Sequence, residues 1–595
     1  MPQPDSRQAT ALQRAMGYMA RGDGEKVVSA CRKLLKKYPR NFDVLHLMGV
    51  GYRLQKRFDR ALDFYHRALD VNTEGSVTLF CNMAFAYLEN RGMNVFLADK
   101  FARKARNLAP DLQEVYEVSA DVSLRVGDPP SAKRHLKRSL QLNPQNPKLW
   151  KKMARVCRQS GQLEEALDSI GEAIRLSPGT PEFFIELGNV KEFQGETESA
   201  LEAYQTAIDL GCQDVEEVNR KILAMLSTHG ERGLLAQRAI KLLKDSPDYL
   251  PAHLQLLRTG QYPGGAQSGL DYLRESQKRG TVMMEFAIAD GFDKESNYEK
   301  SFEHYLRANK QKQADEENYQ VDQTANQYSQ LRRFFSDHGH LLTPSDQQDK
   351  YPTPIFVLGM PRSGTSLTEQ MLGTHSSIQP AGELQFLLSL CKFGMREFPR
   401  SKRQEIPGYW DWVRDTYLQC LKNISNGKPF VTDKMPHNYE LVGFIKRLFP
   451  NAVVIHSYRD PISNCLSIFK ANFDGHHPYA QDLSMLGAYF AEYQKMMNFW
   501  RDQSEVTFLD SRYEDLVLST RDCVEVMLSL CGLEWEDKIT EFHKVDRIVR
   551  TASNDQVRQP IYQTSIKSWK KYEAHLAPLF DTLLANGVIS QADLE

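Results

Sequence analysis

The sequence predicts a two-part molecule, in which an α-solenoid of helical hairpins is followed by an α/β domain with a parallel sheet. Its 595 residues are too many for a single hydrophobic core. The first half repeats one residue pattern at a fixed interval, whereas short apolar runs alternate with helical patterns after residue 351. A loop rich in glycine and hydroxyl side chains follows the first apolar run, and we expect the chemistry of the protein there.

The composition is that of an ordinary soluble protein, with 41% hydrophobic and 25% charged residues. The formal net charge of -1 provides no global field for nucleic acid or an anionic membrane, so neither is an expected partner. The 9 cysteines are odd in number and include no CxxC pair, which argues against a disulfide framework and a zinc site. With no apolar signal region and no run of about 18 apolar residues, the expected location is the cytoplasm.

The repeat in the first half has a period of 34 residues. Ala166 and Ala200 are separated by this interval, as are Pro144 and Pro178. Period and pattern resemble those of tetratricopeptide repeats, in which each unit is a pair of helices. The likeness is strong over about six units, from 16 to 214, and weakens through 215–280, where a generic helical array is the alternative.

The residue types within the repeat fit close helix packing. Small residues such as Gly49 are expected where helices cross closely, and aromatic residues such as Tyr65 and Tyr204 are expected between helix pairs. Such a solenoid offers a concave surface to extended peptides or partner proteins and carries no chemistry of its own. We predict a solenoid over 1–280, a helical connector over 281–345 and the α/β domain over 346–595.

Four apolar runs predict the strands of the parallel sheet. They are Ile355–Leu358, Phe430–Thr432, Ala452–Tyr458 and Val506–Asp510. Helices are expected after the first three, from Leu367, Asn438 and Pro461. Ligands of open α/β sheets bind at the carboxyl ends of such strands.

The loop after the first strand is similar to a phosphate-binding P-loop. Its Gly359-x4-Gly364-Thr365-Ser366 pattern nearly spells G-x-x-x-x-G-K-[ST], but Thr365 stands in the place of the lysine. Arg362 supplies a positive charge from within the loop instead. The loop therefore suits a 5′-phosphate, while the missing lysine and the lack of a clear metal-binding aspartate at a strand end argue against ATP and magnesium.

A second anion motif lies at the end of the third predicted strand. Arg459 begins the sequence Arg459-Asp460-Pro461, and Ser467 follows eight residues later, about two turns into the expected helix. Arginine is suited to bidentate phosphate binding. Two cradles at two strand–helix junctions imply a ligand with two separated phosphates.

These two motifs resemble those of sulfotransferases that use 3′-phosphoadenosine 5′-phosphosulfate. PRSGTS at 361–366 is similar to the 5′-phosphosulfate loop, and the RDP…S pattern at 459–467 is similar to the 3′-phosphate motif. The resemblance covers about 351–572 and includes tyrosylprotein sulfotransferases and fusions of tetratricopeptide repeats with a sulfotransferase domain. It implies a sulfotransferase domain over the predicted 346–595 segment.

The resemblance also implies roles for individual residues. Glu383, in AGELQF, matches the catalytic base, Lys434, in TDKMPHN, matches a lysine that stabilises the transferring group, and Arg362 joins them as a catalytic residue. The implied ligands of the 5′-phosphosulfate are Arg362, Ser363, Gly364, Thr365 and Ser366. Arg459 and Ser467 are implied for the 3′-phosphate and Tyr513 for a further contact. A loosely similar C-terminal lid offers Arg558, Ser565 and Lys567.

The predicted function is in-line sulfuryl transfer to an acceptor hydroxyl, most simply a protein or peptide tyrosine, with Glu383 as base and without a metal. The protein or peptide acceptor would be presented by the solenoid. A carbohydrate O-sulfotransferase and a nucleotide-binding scaffold without transfer activity are alternatives. A kinase or ATPase is a third, and it would require magnesium. The sequence leaves the oligomeric state open.

Overall fold

In a computed structural model the chain forms two compact units, Met1–Val215 and a second unit comprising Glu216–Cys391 and Met395–Glu595. The predicted domain limits at 280 and 345 stay predictions. The structure describes residues 6–90, 95–125, 128–159, 162–228, 231–275, 282–315, 319–338, 351–384, 387–388, 391, 409–473, 477–503, 506–544, 560–561, 563 and 565–595.

The first unit consists of successive helical hairpins, in agreement with the predicted solenoid. Twelve helices in the described ranges form six hairpins, the number of units that the repeat indicates. The helices are α1 Ser6–Ala20, α2 Gly24–Lys37, α3 Phe42–Leu54, α4 Phe58–Val71, α5 Val77–Glu89, α6 Val95–Leu108, α7 Gln113–Arg125, α8 Pro129–Leu142, α9 Pro147–Gln159, α10 Leu163–Leu176, α11 Pro181–Phe193 and α12 Thr197–Asp209.

Glycine and tyrosine pack together within these hairpins. A methyl group on Gly49 of α3 would lie 2.3 Å from the Tyr65 ring of α4, and one on Gly188 of α11 would lie 2.6 Å from the Tyr204 ring of α12. The repeat pattern predicts such rings between hairpins. These two instead fill the crossing inside their own hairpin, because the missing side chain of the glycine leaves room there.

Within the described residues, seven further helices precede the sheet. They are α13 Val215–Thr228, α14 Arg232–Asp245, α15 Leu250–Thr259, α16 Ala266–Glu275, α17 Val282–Lys294, α18 Tyr298–Asp315 and α19 Val321–His338.

The second unit contains a parallel five-stranded sheet with the order β2-β3-β1-β4-β5. Its strands are β1 Thr353–Leu358, β2 Ile378–Pro380, β3 Phe430–Asp433, β4 Val453–Tyr458 and β5 Leu509–Arg512. β1 is central, so that Ile355 lies opposite Thr432 of β3 and Val453 of β4. No sequence pattern predicts β2, and β5 begins three residues later than predicted.

Helices surround this sheet. The α-helices are α20 Thr365–Leu372, α21 Tyr409–Ile424, α22 Val442–Leu448, α23 Pro461–Phe469, α24 Leu483–Arg501, α25 Tyr513–Leu518, α26 Thr520–Ser529 and α27 Ala577–Ala585. Short 3₁₀ helices cover Pro436–Leu441, Pro478–Gln481, Asp537–Lys544, Ser568–His575 and Gln591–Asp593. The helix expected from Asn438 therefore starts as a 3₁₀ turn and becomes α-helical at Val442.

Helices α17 to α19, from the predicted connector, pack against the α/β part of the same unit. Asn309 of α18 donates from Nδ2 to the carbonyl of Phe469 at 2.9 Å. Phe335 of α19 meets Trp500 of α24 edge to face at 5.1 Å between ring centroids. These contacts bury apolar surface and satisfy buried polar groups, so the connector region is part of the core that carries the site. Among the described helices, none is long and apolar enough to cross a bilayer.

Candidate active site

The two predicted anion motifs and the predicted catalytic pair lie at one edge of the sheet. β3, β1 and β4 are neighbouring parallel strands, and their carboxyl ends lead into Lys434, Gly359 and Arg459, respectively. From β1 the chain continues to β2 and β3 on one side and then crosses to β4 and β5 on the other, so the topological switch point lies between β1 and β4. In α/β sheets this is where ligands bind.

Two glycines give the loop between β1 and α20 its shape. Gly359 has φ 143°, and a Cβ there would lie 2.0 Å from the carbonyl oxygen of Ser457 on β4. Gly364 has φ 104°, and a Cβ there would lie 2.8 Å from the ring of Tyr513. Arg362, between them, also has a left-handed backbone with φ 67°. This is a strained conformation for a residue with a side chain, and such strain is concentrated at functional sites.

Neighbouring elements hold the loop in place. The Ser363 hydroxyl donates to the carbonyl of Ser457 at 2.8 Å, and Asn464 Nδ2 of α23 donates to the carbonyl of Pro361 at 3.0 Å. Ser363 is 1% exposed, so its side chain anchors the loop. Thr365 and Ser366, both buried, form the first turn of α20, where the backbone N–H groups and the helix dipole favour an anion.

A hydrogen bond joins the two anion motifs. Arg362 Nε donates to the Ser467 hydroxyl of α23 at 3.1 Å, although the residues are 105 apart in sequence. The loop cation and the serine of the second motif therefore face one space. The two motifs are thus in direct contact at this edge of the sheet.

Arg459 forms a second cluster with Tyr513 and Ser565. The Arg459 guanidinium lies 4.6 Å from the centroid of the Tyr513 ring and donates from Nη2 to the carbonyl of Ser565 at 2.8 Å. The Tyr513 and Ser565 hydroxyls are 2.9 Å apart. Arg459 Nε is buried and has no hydrogen-bond partner within the part of the chain that the structure describes. A buried, unused guanidinium donor fits a phosphate oxygen.

The other lid residues are placed differently. Lys567 is exposed and has a left-handed backbone, at the start of the 3₁₀ helix that follows it. Arg558 lies outside the described residues. Of the three lid candidates, the structure thus brings Ser565 into contact with the Arg459 cluster.

Glu383 and Lys434 form an ion pair. Lys434 Nζ lies 2.5 Å from Glu383 Oε1, and the two side chains are 1% and 34% exposed, respectively. The buried ammonium is therefore fixed at the end of β3, whereas the carboxylate remains open to solvent. A general base needs this access to an incoming acceptor.

The residues that hold the Glu383 segment are not among those predicted from the sequence. Glu369 of α20 is 3% exposed, and its Oε1 accepts the backbone N–H of Gly382 at 2.7 Å and the hydroxyl of Thr432 at 2.7 Å. The Lys434 N–H donates to the carbonyl of Gly382 at 2.8 Å. The only signal in the sequence is a lone acidic residue within a helical segment, and it does not reveal the partner.

A buried aspartate also ends β3, where the sequence indicated no clear metal-binding aspartate. Asp433 is 0% exposed, and its Oδ2 accepts the hydroxyl of Tyr417 at 2.8 Å. Burial raises the pKa of Asp433 to about 7, against the opposing hydrogen bond from Tyr417, and the charge of Glu369 adds to the rise. The group is thus partly protonated at neutral pH.

Comparison with known protein families shows which classes of domain the chain is similar to. Residues 354–537 match the sulfotransferase family, and residues 44–75 and 123–182 match tetratricopeptide repeats. The chain therefore combines tetratricopeptide repeats with a sulfotransferase domain, as the motifs indicate.

Among individual relatives, an uncharacterized protein of Aquifex aeolicus (strain VF5) is 31% identical over 318 residues, or 50% of this chain and 41% of that protein. Protein-tyrosine sulfotransferase 2 of Gallus gallus is 23% identical over 265 residues, or 38% of this chain and 68% of its own. This chain thus spans less than half of the first relative. The crystal structure of PilW, a type IV pilus biogenesis factor, covers 36% of this chain and 99% of its own at 21% identity, with a TM-score of 0.33.

Proposed function

We propose that this protein transfers a sulfuryl group from 3′-phosphoadenosine 5′-phosphosulfate to an acceptor hydroxyl, and that the acceptor is a tyrosine of a protein or peptide. The observation that carries the proposal is the hydrogen bond between Arg362 and Ser467, which joins two anion motifs into one site. The Glu383–Lys434 pair stands at the same edge of the sheet.

The residues present fit such a nucleotide. The Gly359–Ser366 loop with the N-terminus of α20 would hold the 5′-phosphosulfate, and Arg459 with Ser467 would hold the 3′-phosphate. The unused, buried Nε of Arg459 supports this assignment. When bound, the nucleotide supplies the activated sulfuryl group.

Glu383 would act as the general base. A phenol has a pKa of about 10, so the acceptor oxygen becomes a good nucleophile near pH 7 only if its proton is removed during attack. Glu383 would take that proton, since its carboxylate is accessible. The Lys434 ammonium would stabilise negative charge that develops in the transition state, an effect typically worth about 2.7–4 kcal/mol for one fixed donor.

The proposed acceptor is a tyrosine of a protein or peptide. It is favoured by the carboxylate at position 383 and by similarity to proteins named protein-tyrosine sulfotransferases. The repeat solenoid would bind the polypeptide that carries the acceptor. A carbohydrate hydroxyl is the alternative acceptor. The cysteine pattern favours a reducing compartment such as the cytoplasm.

Calorimetric titration with 3′,5′-adenosine bisphosphate tests the nucleotide site. The wild type should bind, and Arg459→Ala should lose about 10- to 150-fold in affinity, as expected for hydrogen bonds to a charged group worth about 1.5–3 kcal/mol. Arg521→Ala is the matched control, because Arg521 is exposed and pairs with Glu525 on α26. No binding by the wild type, or equal binding by Arg459→Ala, overturns the nucleotide site.

Transfer of labelled sulfate from the activated nucleotide tests the reaction and the acceptor. A tyrosine peptide should be labelled and its phenylalanine counterpart should not, and excess EDTA should leave the rate unchanged. Labelling of oligosaccharides alone would replace tyrosine by the carbohydrate alternative. A strict magnesium requirement with ATP consumption would identify a kinase or ATPase, and nucleotide binding without transfer to any acceptor class would identify a scaffold.

A further inference from the structure

We propose that Glu369 is a positioning residue that, together with Thr432, fixes the segment bearing Glu383 beside Lys434. Neither residue belongs to the motifs that define the nucleotide site. The effect on catalysis rests on the proposed function, whereas the structural contact does not. We refer to Glu369, Thr432 and the backbone of Ala381 and Gly382 as the base latch.

The base latch and the Lys434 N–H together fix three backbone groups that immediately precede Glu383. Glu369 Oε1 accepts the Gly382 N–H at 2.7 Å. Thr432 Oγ1 accepts the Ala381 N–H at 3.2 Å and donates its own proton to Glu369 Oε1 at 2.7 Å. The Gly382 carbonyl accepts the Lys434 N–H at 2.8 Å. The two residues before Glu383 are thereby fixed to α20 on one side and to β3 on the other.

Such fixation matters because residues 381–384 form neither helix nor strand. No regular hydrogen-bond ladder restrains this segment, and Gly382 has the left-handed φ of 71° that glycine adopts at little cost. The Glu383 side chain is 34% exposed and makes an ion pair through one oxygen. A catalytic group needs to be held within about 0.5 Å of its productive position, and here the base latch supplies that restraint.

The latch also links the base to the phosphate loop. Gly364 caps the N-terminus of α20, and Glu369 lies on the same helix about one turn after its first residues. Glu369 is 3% exposed and Thr432 is 0% exposed, so neither side chain is available to solvent. One short rigid helix therefore presents backbone N–H groups to an anion at its start and holds the base segment from its side.

The role requires a hydrogen-bond acceptor at position 369. Glutamine retains a carbonyl oxygen at the place of Oε1 and can accept both hydrogen bonds, whereas leucine has a similar volume and accepts neither. Thr432→Val removes the bridging hydroxyl with almost no change in shape. These three variants separate loss of the latch from loss of packing.

Amide hydrogen exchange of the peptide covering 376–384 tests the latch without any activity. In the wild type and Glu369→Gln the amides of Ala381 and Gly382 should exchange slowly. In Glu369→Leu and Thr432→Val they should exchange about ten-fold faster or more, since each loses a hydrogen bond to a buried acceptor. Thr520→Val, which loses a bond to the carbonyl of Leu516 on another helix, should leave this peptide unchanged.

Kinetics test the consequence for catalysis. We expect Glu369→Leu and Thr432→Val to lower kcat about 10- to 100-fold with the affinity for 3′,5′-adenosine bisphosphate within two-fold of wild type, since a misplaced base weakens transition-state stabilisation rather than nucleotide binding. Glu369→Gln should restore kcat to near the wild-type value. This rescue would not follow if the charge of Glu369 were the property that matters, and the loss in Glu369→Leu would not follow if its bulk were.

Each outcome tests one part of the proposal. Unchanged exchange in Glu369→Leu shows that the latch does not exist, whatever the activity. Faster exchange with unchanged kcat overturns the positioning role. Failure of the wild type to bind the bisphosphate refutes the proposed function but leaves the exchange result on the latch valid. Should Glu369→Leu not fold, exchange and kcat of the nearly isosteric Thr432→Val decide the same two questions.

Discussion

Arg362 Nε donates a hydrogen bond to Ser467 Oγ at 3.1 Å and so joins the loop after β1 to the helix after β4. Each motif alone resembles a local anion cradle. The hydrogen bond brings the two motifs into contact, and the backbone of Arg362 has a left-handed conformation. Removal of the Ser467 hydroxyl tests the role of the hydrogen bond between Arg362 and Ser467.

Ser467→Ala should weaken binding of 3′,5′-adenosine bisphosphate by about 10-fold or more, because a hydrogen bond to a charged group contributes about 1.5–3 kcal/mol. The variant removes both a candidate ligand of the 3′-phosphate and the partner that orients Arg362. Isothermal titration calorimetry measures the effect. Ser484→Ala is the control, since Ser484 lies at the start of α24 and bonds the carbonyl of Pro578. Equal affinity in both variants contradicts the prediction.

Gly364→Ala should abolish measurable nucleotide binding. The added Cβ would lie 2.8 Å from the Tyr513 ring, and the alanine backbone would have to adopt φ 104°. The loop or the ring must therefore move. Gly532→Ala isolates the backbone effect, because Gly532 has φ 65° and no atom near the position of a Cβ. That control should lose about 1–2 kcal/mol of stability and retain binding. Calorimetry and thermal unfolding of both variants check the pair.

Glu383→Gln should lower kcat by about 10²- to 10⁴-fold, the usual contribution of general base catalysis. Affinity for 3′,5′-adenosine bisphosphate should stay the same, because the amide is nearly isosteric and Glu383 is not an expected phosphate ligand. Sulfate transfer to a tyrosine peptide and calorimetry provide the two measurements. Turnover at the wild-type rate would remove Glu383 as the base.

Asp433→Asn should make stability less dependent on pH. Burial raises the pKa of Asp433 to about 7, whereas an aspartate in the unfolded chain has a pKa of about 3.9. The folded chain therefore binds more protons between these values, so the stabilising effect is complete below about pH 4 and is lost as pH rises through 7. The free energy of unfolding falls by about 4 kcal/mol over this pH range.

The asparagine keeps an acceptor for Tyr417 and cannot ionise. The melting temperature of Asp433→Asn relative to wild type should thus be higher at pH 8 than at pH 5. Asp581→Asn makes the same substitution at an exposed position of α27 and serves as the control. A difference between Asp433→Asn and wild type that does not grow with pH would contradict the prediction.

The sheet shows why some strands were predictable. β1, β3 and β4 lie within two residues of their predicted limits, because strands buried on both faces are continuous apolar runs. β2 has three residues and includes Pro380, too few to show a pattern. β5 is an edge strand with the sequence LDSR, whose polar residues carry little signal, so its position was shifted.

The candidate site likewise contains residues that the sequence located and residues that it did not. Arg362, Arg459 and Ser467 were located by motif, because a loop or helix N-terminus that binds an anion needs particular residues at short, fixed spacings. Glu369 could not be located, since within TSLTEQML it is indistinguishable from a solvated helix residue. Its function depends on a partner at Gly382, which the strand order places beside it.

The sequence by itself determined the repeat solenoid, the α/β class and the positions of two anion motifs, because each depends on interactions between residues close along the chain. Only the tertiary structure decided that Arg362 meets Ser467, that Tyr513 and Ser565 close around Arg459, and that Glu369 holds the segment of Glu383. These contacts join residues on different elements, and they follow from the order of β3, β1 and β4, which no local pattern specifies.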